Sequence, residues 1–338
     1  MNPRRLTLLG RIAIAACAPY LALKLLWVLG SDLGVVDTHG ISHPTWVAVN
    51  AFTFLLDAIA ALVAHTLTHP GGRRAPAWLL TFPLWMASGL LIPLVLGVVG
   101  GTLTGLIVGY QNPMNAGDFL QPWVFLIVYG GFLVEAITLL GAFAIYAHQR
   151  WGGLLRRRLH DLPDTGTRAM QRILAAPAAV LIGASGVLHL LWGSGSTLGM
   201  EAAEVHARNV VGYANHWAQG LLSLAGAVGL LLLLFPRLTP RHTPLARLRV
   251  RTPLALAWAG SAAVFACGGL LWLTMTVSDA LSPGRSLAAG GLPGLAGALE
   301  LFAGLVVLCA GAFTLCELVS ATAKVRPDAR ECATAGNR

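Results

Sequence analysis

Lys24, Asp57, Glu135, His189, His216 and Glu300 can each take up or release a proton or hold an ion, and all stand within long apolar runs. Two asparagines, Asn50 and Asn215, accompany them. An ionised side chain at the centre of a spanning helix costs about 2.5–3.5 kcal/mol on insertion scales. Such groups are therefore neutral, paired or turned toward a wet cavity.

Depth separates them. Lys24 is about six residues, roughly 9 Å, from the outer end of its run, so its long stem can snorkel to the interface. Asp57 and Glu135 lie about 18–20 Å deep, beyond the reach of either side chain. If they share a cavity they cannot both be ionised without a cation, because like charges in a low-dielectric site repel strongly. At least one is expected to pair with Lys24 or a polar partner, and the other to carry a proton; the alternative is a structural neutral acid. Asn50 precedes Asp57 by two turns on one face, and Thr138 follows Glu135 by one turn, giving both acids polar company. Glu300 is the acid of the second half, about a turn nearer the outside.

A second group collects toward the outer face. His189 stands one turn before Trp192, and Asn215 and His216 are followed one turn on by Gln219. Imidazoles carry protons, ligate metals or hold haem, and two at similar depth on adjacent helices are a candidate clamp for b-type haem. Asp37, His39 and His43 have loose metal-ligand spacing, but polar loop residues explain them as well, so no metal site is assigned. His65 and His69 at an inner helix end are weaker still.

The elements that position these residues follow from composition. The chain has 338 residues, 56% hydrophobic and only 11% charged, more apolar surface than a soluble core could hide. It is read as an all-α integral membrane protein. A span needs about 20 apolar residues, and eight runs qualify: 11–30, 44–66, 77–99, 121–147, 170–193, 213–236, 253–276 and 293–318. The first resembles a signal peptide but lacks a small-x-small cleavage site, so it is read as a retained helix. Pro19 should kink it. The apolar stretch that continues beyond the third run, Gly100–Gly109, is expected to leave the helix as an ordinary outer loop, with a re-entrant or interface-lying segment as the alternative.

Arginines sort the loops. Arg4, Arg5, Arg11, Arg73, Arg74, Arg156, Arg157, Arg158, Arg241, Arg247 and Arg326 fall on one side, while the opposite loops hold Asp32, Asp37, Asp118, Glu201, Glu204 and Asp279 with only Arg208 and Arg285. The positive-inside bias puts both termini in the cytoplasm of a cell inner membrane. It also accounts for the net charge of +9 better than a nucleic-acid partner would. The cysteines lie in apolar runs or the tail, so no disulfide framework is implied.

One stretch occurs twice. Residues 23–34 and 188–199 share Leu, Leu-Leu-Trp, Gly-Ser and Leu-Gly in one gapless register, which also pairs Asn50 with Asn215. The chain is therefore read as two parallel four-helix repeats related about the membrane normal. They occupy 1–151 and 169–320, joined by an Arg-rich cytoplasmic linker at 152–168 and followed by a cytoplasmic tail at 321–338. The repeated Trp27 and Trp192 are expected to anchor at the interface or to line a shared site. Small residues at Ser223, Gly226, Gly229, Gly260, Gly268, Gly304 and Gly311 are expected at helix contacts.

No nucleophile elbow, Walker, dinucleotide-binding, C-x-x-C or H-E-x-x-H pattern occurs, so no catalytic residue is assigned. The K/H-L-x-W-x-x-G stretch at helix ends, as Lys24–Gly30 and His189–Gly195, resembles uncharacterised polytopic membrane proteins of high-GC bacteria. That resemblance implies no activity. The residues point first to a transporter of a small solute or ion, with proton coupling, acting through the interface of the two copies. The alternatives are a membrane-bound redox, haem or lipid-modifying enzyme using His189 and His216, and a non-catalytic scaffold or sensor.

Overall fold

The computed structural model describes residues 3–38, 41–69, 76–109, 119–162, 166–206, 208–236, 247–280 and 290–324. The long helices are α1 (Pro3–Val28), α2 (His43–Thr68), α3 (Ala77–Val108), α4 (Pro122–Leu155), α5 (Arg168–Gly193), α7 (Val210–Leu234) and α10 (Gly291–Lys324). A short α6 (Ala202–His206) precedes α7, and α8 (Arg251–Ala263) passes through a π-helical stretch, Val264–Leu270, into α9 (Leu271–Ala280). Among the described residues eight helices are long and apolar enough to cross a membrane, with α8, the π stretch and α9 forming one of them. The chain is a polytopic all-helical protein whose outer surface suits lipid.

Local sequence sets the ends. Ser42 caps α2 by accepting from Thr45 N, Asn209 caps α7 by accepting from Gly212 N at 2.9 Å, and Pro44 and Pro122 occupy first-turn positions that need no amide. Pro19 is carried inside a continuous α1. The stretch Gly100–Gly109 does not leave the helix as expected: α3 continues to Val108 and stops at Gly109, whose φ of 71° supplies the left-handed cap. An apolar backbone satisfies its hydrogen bonds in lipid by staying helical, and Gly101 lets this extension lie against Val211 of α7. The segment Gln111–Asn115 lies outside the described residues.

At the Arg-rich end, Arg168 and Arg172 donate to the Leu233 and Leu234 carbonyls, covering the unpaired C-terminus of α7. The linker there pairs with the strand-like segment before α8, Leu159 N to Leu248 O and Val250 N to Arg157 O, each 3.0 Å.

α1, α2 and α4 pack together, as do α5, α7, α8 and α10. The third helix has little contact with α2 and lies mainly against α7 and α8. On α3 and α8 a W-x-x-S element occurs in each helix, and the two exchange bonds. Trp85 Nε1 donates to Ser261 Oγ and Trp258 Nε1 to Ser88 Oγ, both at 3.1 Å. The next residues, Gly89 and Ala262, let the backbones touch: a Cβ on Gly89 would stand 2.0 Å from Ala262 O. Gly226, Gly229 and Gly260 do the same between α7 and α8, as expected for association without a hydrophobic drive. Gly311 departs from its expected role, since among the described residues a Cβ there would meet nothing within 4 Å.

Candidate functional site

Among the described residues the buried carboxyls Asp57, Glu135 and Glu300 fall in two clusters, one inside each helix group, apart from the Trp–Ser bonds where α3 meets α8. In the first, α1 contributes Cys17, α2 Asp57 and α4 Glu135, at 2%, 6% and 3% exposure. Their potential ligand atoms all lie within 4.8 Å of one another. Two carboxyls this close in apolar surroundings repel strongly unless a proton or a cation stands between them. Neither acid has a basic partner among the described residues, and Asp57 Oδ2 is buried without a hydrogen bond.

Lys24 is not the acids' partner in this arrangement. Two turns toward the C-terminal end of α1, Lys24 Nζ donates to Asn50 Oδ1 at 2.7 Å and lies over the Tyr20 and Trp27 rings at 5.1 and 5.0 Å. An amide oxygen and two ring faces thus stabilise the ammonium. Asn50 is oriented for this by donating to Trp46 O at 2.8 Å. The antiparallel run of α1 and α2 explains the spacing. Seven residues separate Cys17 from Lys24 and Asn50 from Asp57, so both pairs meet at matching depths, about 10 Å apart. Thr138 returns its hydroxyl to Val134 O at 2.7 Å instead of serving Glu135.

The second cluster centres on Glu300 of α10, 2% exposed. Its Oε1 accepts from Ser185 Oγ and stands 2.9 Å from His189 Nε2. The Nδ1 atoms of His189 and His216 are 2.9 Å apart. The His189 ring thus bridges the two, with Nδ1 toward His216 and Nε2 toward Glu300, in a chain of side chains from His216 through His189 to Glu300. Trp192 sits against both imidazoles, with ring centroids 5.2 and 5.6 Å away.

Gly268, in the π stretch, makes the room Glu300 occupies, in keeping with the use of π segments at special sites. Gln219 donates to Ala263 O at 3.3 Å, and its Oε1 is left without a partner among the described residues. Ser185 and Glu300 also form the polar end of an apolar cavity of about 130 Å³ between α5 and α10, lined further by Leu188, Leu295 and Leu299.

Facing imidazole nitrogens 2.9 Å apart are spent on each other; two axial ligands of one iron would stand about 4 Å apart. As placed, the pair is a hydrogen bond and not a haem clamp. Asn215 is not brought to the cluster: it is exposed, with its amide against Gly97 of α3, whereas Asn50 is buried. His39 lies outside the described residues, so the spacing of Asp37, His39 and His43 gains no geometry.

The repeated stretches fold alike in detail. Trp27 Nε1 donates to Leu33 O at 2.8 Å and Trp192 Nε1 to Leu198 O at 2.9 Å; Leu33 N and Leu198 N each donate to a serine, Ser31 and Ser196, at 3.3 Å. Gly30 and Gly195 have φ of 92° and 101°, and Gly34 and Gly199 of 76° and 68°, positions only glycine takes readily. Both indoles are 2% exposed and fasten the turn that follows their helix, instead of lying open as interfacial anchors. Arg208 caps the same end of α5 by donating to Trp192 O.

Sequence reasoning passed over Cys17 and Ser185. Each had a signal in its spacing: Cys17 is two turns before Lys24 and Ser185 one turn before His189, so each shares a face with a residue already singled out. No protein-family model, curated protein or solved structure matches the chain.

Proposed function

We propose that this chain is an ion transporter of the bacterial inner membrane, coupled to protons. In this reading it is built as two parallel four-helix repeats with both termini in the cytoplasm. The observation that carries the reading is the buried Asp57 and Glu135 pair, which has no basic partner among the described residues and an unused carboxylate oxygen. Carboxyls in a bilayer core cost folding energy, and a passing cation gives them a use. The chain from His216 through His189 to Glu300 provides a proton route in the other half. The two Trp-Gly-Ser-Leu-Gly turns and the exchanged Trp-Ser bonds of α3 and α8 support the repeat, with its axis passing between those two helices. The ion path then runs inside a helix group, and the contact between halves serves as scaffold.

A second reading, a lipid-modifying enzyme, draws on the apolar cavity that Ser185 and Glu300 line. Against it, the Ser185 hydroxyl donates to Glu300 and not to an imidazole base.

Reconstitution in liposomes tests the transport reading. With an imposed ion gradient and a pH dye inside, the wild type should move protons against the ion. Asp57→Asn and Glu135→Gln should abolish exchange while leaving insertion intact, and Glu300→Gln should uncouple it. Unchanged flux in the Asp57→Asn/Glu135→Gln double variant would remove the reading. Orientation is checked in intact cells: a single cysteine at Asp37 or Glu204 should react with an impermeant thiol reagent, and one at Arg157 should not.

A further inference from the structure

We infer that Cys17, Asp57 and Glu135 form a binding site for a thiophilic divalent d-block cation such as zinc. This deepens the transport reading and rests on it only for the claim that the ion is carried. Three donor atoms, one sulfur and two carboxylate oxygens, come from three different helices and already lie within 4.8 Å of one another. All three residues are at least nine-tenths buried. The independent sign of a missing ligand is Asp57 Oδ2, which has no hydrogen-bond partner among the described residues. An orphaned carboxylate oxygen is costly in such surroundings unless something else occupies it.

The donor set selects the ion. Hard cations such as magnesium and calcium take six or more oxygens and do not favour sulfur. Zinc accepts one thiolate with two carboxylates, at about 2.3 Å to sulfur and 2.0–2.2 Å to oxygen, which places neighbouring ligands about 3.5 Å apart. The three helices need to close by roughly 1 Å to reach that spacing. Water or the second Asp57 oxygen completes the fourth position.

The chemistry balances without a further reactant. The Cys17 S–H bond and the carboxyl O–H bond shared by the acids break, metal–sulfur and metal–oxygen bonds form, and the two protons leave to water. A dication replacing two protons leaves the net charge of the site unchanged, as an apolar interior favours.

The test uses the full chain, purified in detergent and stripped of metal by chelation, with Cys267, Cys309, Cys316 and Cys332 changed to Ser. Titration with cobalt(II) should develop a near-ultraviolet thiolate-to-cobalt charge-transfer band that saturates at one equivalent. Zinc should bleach the band, and Cys17→Ser should lack it. Asp57→Asn and Glu135→Gln should each weaken binding by about 100-fold or more, beyond the loss typical of an outer-shell partner. Absence of a band, or its persistence in Cys17→Ser, overturns the site. Should Cys17→Ser fail to fold, an unchanged affinity in Asp57→Asn overturns it equally. Tight binding without liposome flux would defeat the transport reading alone; flux without binding would defeat the metal site alone.

Discussion

Trp85 of α3 donates its indole N–H to Ser261 of α8 at 3.1 Å, and the reverse bond, Trp258 to Ser88, has the same length. Between them Gly89 meets Ala262. Equivalent bonds should carry equivalent energy. Trp85→Phe and Trp258→Phe should each destabilise the protein by about 1 kcal/mol, whereas Gly89→Leu, which drives a side chain into the α8 backbone, should prevent assembly. Unfolding in mixed micelles measures all three. A Gly89→Leu protein of wild-type stability would show that the two helices do not meet there.

His189 and Glu300 should be coupled energetically. Either alanine change removes one bond of the Ser185–Glu300–His189–His216 network and should cost about 1–3 kcal/mol. The double variant should cost about 1–3 kcal/mol less than the sum of the single changes, as for residues in one hydrogen-bonded network. Additive losses would mean that the 2.9 Å contact does no work.

Two glycines proposed from sequence alone for helix contacts should now separate. A methyl on Gly268 would run into the Glu300 carboxylate, while one on Gly311 would meet nothing within 4 Å. Gly268→Ala should cost about 1–3 kcal/mol through overpacking. Gly311→Ala should be neutral or stabilise by about 0.5–1 kcal/mol through the gain in helix propensity. Equal responses in thermal unfolding would contradict the placement of Glu300 against the π stretch.

The sequence by itself determined the eight apolar helices, because span length and the absence of charge are properties of contiguous residues that need no partner. It also singled out Asp57, Glu135, His189, His216 and Glu300, since an ionisable group in an apolar run is conspicuous without knowing its neighbours. The repeated Leu-Leu-Trp and Gly-Ser-Leu-Gly residues likewise marked a turn whose hydrogen bonds are local, so two copies of the sequence fold into two copies of the turn.

Which side chains meet was decided only by tertiary structure. Lys24 turned to Asn50 and not to an acid, and Cys17, noted in the sequence only as a cysteine of an apolar run, came to stand beside Asp57 and Glu135. Asn215 stands apart from His189 and Glu300, because α3 packs on α7 and brings Gly97 against it, whereas its counterpart Asn50 is buried and holds Lys24. Depth along a helix follows from counting residues, but the rotation of one helix against another is fixed by side-chain shape at every contact along both. A single chain does not display that information in linear order.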